Sequence, residues 1–175
     1  ANLTVKKLWD DSNDNDGARP FAVEITLYRN GQPTDNKLVL NESNSWTGVW
    51  QNMPRHHNGQ RISYTVVETG YYLTDSAALT PGIPEGYTAT ASYDYTNAIA
   101  TVTNSYTPET TSLDVQKVWD DDDNRDGKRP ANITVRLLAN GTEIDSKVVS
   151  AQEDWSWSFD SLPKSRDHGV AIIYT

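Results

Sequence analysis

Apolar and polar side chains alternate with a period of two through most of this chain, and three polar residues fall in the apolar phase. Successive side chains of a strand point to opposite faces. Leu3, Val5, Lys7 and Trp9 therefore share one face, and Thr4, Lys6 and Leu8 share the other. The same alternation groups Glu68 with Ile62, Tyr64 and Val66, and Asn104 with Ala100, Val102 and Tyr106. Val23, Ile25 and Leu27 alternate with Glu24, Thr26 and Tyr28 up to Asn30-Gly31, and Ile133, Val135 and Leu137 do so up to Asn140-Gly141. An Asn-Gly pair between two such runs predicts a two-residue hairpin. No segment carries a sustained three-to-four-residue apolar period, and valine, threonine, tyrosine and tryptophan are frequent, so the pattern predicts an all-β chain of short strands in a sandwich. The stretch from Thr69 to Gly86, with Pro81 and Pro84, reads as a long connection before a strand around Tyr87.

A lysine, a carboxyl and a carboxamide directed into one core are costly unless they pair or react. Burial disfavours the charged amine and the charged carboxylate alike, so Lys7 and Glu68 are expected to be neutral together. The Lys7 amine is then able to attack the Asn104 carboxamide, with Glu68 relaying protons and ammonia leaving. The product is an isopeptide bond. The plainer alternative is a buried Lys7–Glu68 ion pair beside a hydrogen-bonded asparagine.

The chain repeats itself. Lys7-Leu8-Trp9-Asp10-Asp11 returns as Lys117-Val118-Trp119-Asp120-Asp121, and Asp16-Gly17-Ala18-Arg19-Pro20 returns as Asp126-Gly127-Lys128-Arg129-Pro130. Asn30-Gly31 matches Asn140-Gly141, and Tyr64-Thr65 matches Tyr174-Thr175. This predicts a complete domain over 1–106, a polar linker over 107–111 containing Pro108, and the N-terminal part of a second domain over 112–175. Because Thr175 corresponds to Thr65, the second copy supplies Lys117 without counterparts of Glu68 and Asn104. Lys117 is expected to stay unpaired.

Lys-x-Trp-Asp-Asp, Asp-Gly-x-Arg-Pro, the Tyr-Thr-Val-x-Glu of residues 64–68 and the Val-Thr-Asn-Ser-Tyr-Thr-Pro of residues 102–108, in this order and partly repeated, resemble the B-type repeat of Gram-positive collagen adhesins, the Cna B-type domain. The resemblance implies tandem inverse immunoglobulin-like β-sandwiches, the second truncated. It also implies a lysine-to-asparagine isopeptide bond, carried over as Lys7 and Asn104 with Glu68 as the assisting acid. Such domains form stalks of wall-anchored adhesins and pilins.

Composition narrows the remaining possibilities. The formal net charge of -9 disfavours nucleic acid and anionic membrane as partners, which need a basic face. There are no cysteines, so disulfides, zinc-thiolate sites and cysteine nucleophiles are excluded. No apolar run reaches the length of a membrane span, and Ala1-Asn2-Leu3-Thr4 does not begin a signal segment, so an export signal and wall anchor are expected outside this chain. The acidic stretches Asp10 to Gly17 and Asp120 to Gly127 partly match calcium loops and make Asp14, Asp16, Asp122 and Asp126 weak calcium candidates. The glutamate such a loop needs is replaced by Val23 or Ile133, so a solvated, self-capping turn is the stronger expectation. The tryptophans are expected to pack in the core and between strands. His56, His57 and His168 have no ligand-like spacing, and no cofactor is expected.

With these readings beside it, the resemblance implies an extracellular, wall-anchored structural stalk of a Gram-positive bacterium, which is expected to cross-link itself once and not otherwise to be an enzyme. Its expected partners are neighbouring repeats of the same surface protein, and host matrix through other domains of the parent. The rival expectation is a ligand- or calcium-binding adhesive module, which would need an exposed aromatic or apolar patch or a preformed ligand cage.

Overall fold

The computed structural model describes residues 1–175 as two units, Ala1–Thr107 and Pro108–Thr175. In the first, alternation becomes strand in β1 (Leu3–Asp10), β2 (Ala22–Arg29), β3 (Gln32–Asn41) and β4 (Thr47–Trp50). Two short strands follow, β5 (His56–His57) and β6 (Gln60–Arg61), then β7 (Tyr64–Tyr72), β8 (Thr80–Pro81), β9 (Thr88–Asp94) and β10 (Ile99–Ser105). One sheet has the order β4-β1-β10-β9 and the other β3-β2-β7-β8. The inward residues of both form one core: Val5, Ala100 and Val102 from the first, Val23, Ile25, Leu27, Leu40 and Val66 from the second. Each such buried valine, leucine or isoleucine side chain contributes about 1.5–3 kcal/mol. The first unit is thus a β-sandwich built on the alternation read from sequence.

The Asn-Gly turns form as expected. Asn30 and Gly31 adopt φ of 50° and 78°, the left-handed pair that a two-residue hairpin requires. Asn30 does more than turn. Its amide donates to the Ser63 carbonyl at 2.7 Å, and its Oδ1 accepts from the Ser63 amide at 2.8 Å. The hairpin is thereby tied to the segment that leads into β7.

Two features depart from simple alternation. In the β2–β7 ladder Glu24 pairs with Gly70 and Ile25 with Glu68, so Thr69 is an extra, bulged residue. The bulge reverses the phase of β7: Glu68 faces the core, and beyond Thr69 it is Tyr71 that packs there. The region after Glu68 is also not one long connection, since β7 continues to Tyr72 and β8 pairs with Gly70 and Tyr71.

The second unit contains β11 (Thr110–Gln116), β12 (Asn132–Ala139), β13 (Thr142–Ser150), β14 (Ser156–Pro163), β15 (Ser165–Arg166) and β16 (Val170–Ala171). β11 pairs with β14 and β12 with β13, around a small core of Leu137, Phe159 and Leu162. Strand structure begins at Thr110, inside the segment expected to be linker, because Thr110 and Thr111 already pair with Pro163 and Leu162. Asn140 repeats the tie made by Asn30, exchanging backbone and side-chain hydrogen bonds with Ile173. Trp157, expected to pack internally, is 38% exposed with the Lys147 ammonium 4.1 Å from its ring centroid.

Candidate functional site

β1 and β10, the first and last strands of the first unit, are hydrogen-bonded neighbours running parallel. Their register pairs Lys7 with Val102 and Trp9 with Asn104, so Lys7 and Asn104 stand one step apart on the same inward face. Glu68 enters from β7 in the facing sheet. Lys7 is 3% exposed, Glu68 5% and Asn104 0%. The Asn104 Nδ2 donates to Glu68 Oε1 at 3.0 Å. Lys7 Nζ donates to the Leu8 carbonyl at 2.8 Å and lies 3.6 Å from the centroid of the Trp9 ring.

The electrostatics of the three are set by burial. Burial pushes the Lys7 amine down to about 7, against the attraction of Glu68 and Asp11. It raises the Glu68 carboxyl above its ordinary range, against the attraction of Lys7 and the Asn104 hydrogen bond. Both shifts favour neutral forms. Glu68 Oε2 and Asn104 Oδ1 are buried without hydrogen-bond partners, each a cost of about 1–3 kcal/mol. A proton on Glu68 supplies a donor beside these acceptors. The cluster can therefore hold a neutral amine, a protonated acid and a carboxamide together, away from water.

A second buried group lies beyond Trp9. Asp11, 1% exposed, accepts from Arg19 Nε at 3.0 Å, Arg19 Nη2 at 2.7 Å, the Asp14 amide at 2.9 Å and the Tyr87 hydroxyl at 2.8 Å. Burial works to raise the Asp11 carboxyl, but these bonds outweigh it and hold it below the usual carboxylate range. Trp9 meets Trp46 and Tyr87 edge-on, with centroids 5.2 and 5.3 Å apart, and Arg19 Cζ lies 5.3 Å from the Trp9 centroid. Sequence reasoning placed Asp11 in a solvated acidic loop and missed this clasp. The signal was present, since Asp11 and Arg19 recur at the same spacing as Asp121 and Arg129.

The calcium candidates are engaged by their own loops or exposed. Asp14 Oδ1 accepts from the Arg19 amide at 2.9 Å, and Asp16 accepts from Asn15 Nδ2 and from the Tyr106 hydroxyl. Asp122 and Asp126 are exposed. No three His, Cys, Asp or Glu side chains converge to hold a metal ion.

In the second unit Lys117 lies just past β11, half-buried, with Nζ 4.5 Å from the Trp119 centroid. Its amide donates to the Trp155 carbonyl at 2.8 Å, as that of Lys7 does to Trp46. No ion pair joins its Nζ to a carboxylate. Lys117 is therefore expected to react with an amine-acylating reagent on the folded protein while Lys7 does not. Mass mapping after acylation checks this, and protection of Lys117 equal to that of Lys7 would contradict it.

Comparison with known proteins gives a consistent picture. The model of the Cna protein B-type domain matches residues 3–105 and 113–175. A collagen adhesin of Staphylococcus aureus is 44% identical over 172 residues, covering 98% of this chain and 13% of the relative. The chain thus spans about one-eighth of that protein's length. The crystal structure of two B repeat units of the collagen binding protein of Staphylococcus aureus superposes with a TM-score of 0.85 at 41% identity, covering 99% of this chain and 43% of that one.

Proposed function

The chain belongs to the Cna protein B-type domain family, and on that premise we propose that it is a structural stalk segment of a Gram-positive cell-surface adhesin, whose first unit joins Lys7 to Asn104 with the help of Glu68. The observation that carries this reading is the burial of the three side chains together, with the carboxamide already hydrogen-bonded to the acid. The Lys7 nitrogen attacks Asn104 Cγ, the Cγ–Nδ2 bond breaks, and the nitrogen leaves as ammonia. Glu68 polarises the carboxamide and carries a proton from the attacking amine to the leaving one. Folding fixes the reactants in a dry site, which replaces much of the work of a dedicated catalyst. The reaction occurs once per molecule.

In this reading residues 1–106 form a complete B-type domain, 112–175 the N-terminal part of a second, and 107–111 the join. Other repeats of the same surface protein are the neighbours, and attachment to host matrix belongs to other domains of the parent. A stalk requires stiff modules more than it requires a ligand pocket. The inward packing of Trp9 and Trp50 fits that requirement. The intact mass of the folded chain tests the reading. It is expected to fall short of the sequence mass by one ammonia, and a full mass would overturn it.

A further inference from the structure

Lys7, Trp9 and Asp11 succeed one another on the inward side of β1 and its continuation, so the amine has two buried carboxyls within its electrostatic reach, Glu68 and Asp11. Only Glu68 touches the carboxamide. A Lys7 ammonium drawn to Asp11 would be held charged, and a charged amine has no lone pair with which to attack Asn104. Yet all four acceptor positions of the Asp11 carboxylate are taken: Oδ1 by Arg19 Nη2 and the Asp14 amide, Oδ2 by Arg19 Nε and the Tyr87 hydroxyl. The guanidinium fork fits a carboxylate with two parallel bonds and keeps its charge at any relevant pH.

We propose that Arg19 is a positioning residue for the Lys7–Asn104 reaction: by saturating Asp11 and offsetting its charge, it keeps that carboxylate from holding the Lys7 amine in its charged form. The inference rests on the isopeptide reading above and adds a residue to it. The second unit supports the clasp as a built device. There Arg129 Nε and Nη2 again bond both oxygens of Asp121, the Asn124 amide donates to the same carboxylate at 3.0 Å, and Arg129 Cζ lies 5.4 Å from the Trp119 centroid. The second clasp lies within residues 119–129. The groups facing the Lys7 amine are Glu68 from β7, Asp11 and Arg19 from the loop after β1, and the neutral Asn104 from β10; Tyr87, before β9, faces it through Asp11.

The test follows ammonia loss by mass as the full chain, recovered unfolded and unlinked, is refolded across a pH series. Arg19→Gln frees Asp11 to hold Lys7 charged. Its rate profile is expected to move to higher pH by about one unit, a loss of about tenfold below the midpoint. Arg19→Lys keeps the charge and is expected to recover most of that shift. Removing the competitor as well, in Asp11→Asn with Arg19→Gln, is expected to return the midpoint to the wild-type position. A clasp that merely stiffened the loop would give the opposite pattern, with the double variant slower than Arg19→Gln and neither midpoint moved. That result would overturn the positioning role. A wild-type chain that folds without losing ammonia would instead overturn the isopeptide reading, and this inference with it.

Discussion

Pulled from its two ends, the first unit is expected to stay almost unextended under forces that unravel its Lys7→Met variant. Ala1 precedes β1, Thr107 follows β10, and these strands are adjacent and parallel. Tension between the ends therefore shears β1 along β10. With Lys7 bonded to Asn104, force enters at Leu3, crosses at the bond and leaves through Tyr106. The 96 residues from Leu8 to Thr103 lie outside that path. Without the bond the same residues are released once the ladder fails, adding up to roughly 330 Å of contour at full extension. Single-molecule pulling distinguishes the two. Full extension of the wild-type unit would contradict the stalk mechanism even with the fold intact.

The second large effect is on stability. A cross-link from residue 7 to residue 104 closes nearly the whole unit into one loop and restricts the unfolded chain as a long-loop disulfide does, worth about 4–5 kcal/mol. Domains of this size are stable by only about 5–15 kcal/mol, so the bond is a large share of the total. Lys7→Met is the informative substitution, because it removes the amine without leaving a buried charge and nearly preserves volume. It is expected to lower the Tm of the first unit by roughly 20 °C and to make it far more sensitive to protease. Glu68→Ala should resemble Lys7→Met in mass and mobility but be less stable still, since the Lys7 amine remains buried without its acid. A Lys7→Met protein that melts with the wild type would show that no cross-link was lost.

The placement of Lys7, Glu68 and Asn104 was legible because a strand admits only two faces, and the alternation leading up to each residue was unbroken. The Asn-Gly hairpins were legible for a similar local reason: two adjacent left-handed residues leave little choice of side chain. What depended on contacts distant in sequence was not. The parallel pairing of β1 with β10 spans almost the whole unit, and nothing local to Lys7 announces Val102 as its neighbour. The bulge at Thr69 reverses the alternation just after Glu68, so the inward position of Tyr71 falls on the wrong parity for a continuous count. Asp11 was misread because its neighbours Ser12 and Asn13 are exposed, while its own carboxylate turns inward to Arg19 and to Tyr87, 76 residues away. Trp157 was misread for the converse reason, a bulky residue in strand context that the second unit leaves 38% exposed.

Peptide mapping of the folded wild-type protein tests the central claim most directly. A digest is expected to yield one branched species in which the segment carrying Lys7 is joined to the segment carrying Asn104, lighter than their sum by one ammonia, with Lys117 recovered in a linear peptide. The Glu68→Ala protein should yield the Lys7 and Asn104 segments separately. Recovery of both segments unlinked from the wild-type protein, or a branch joining any other pair of residues, would contradict the account.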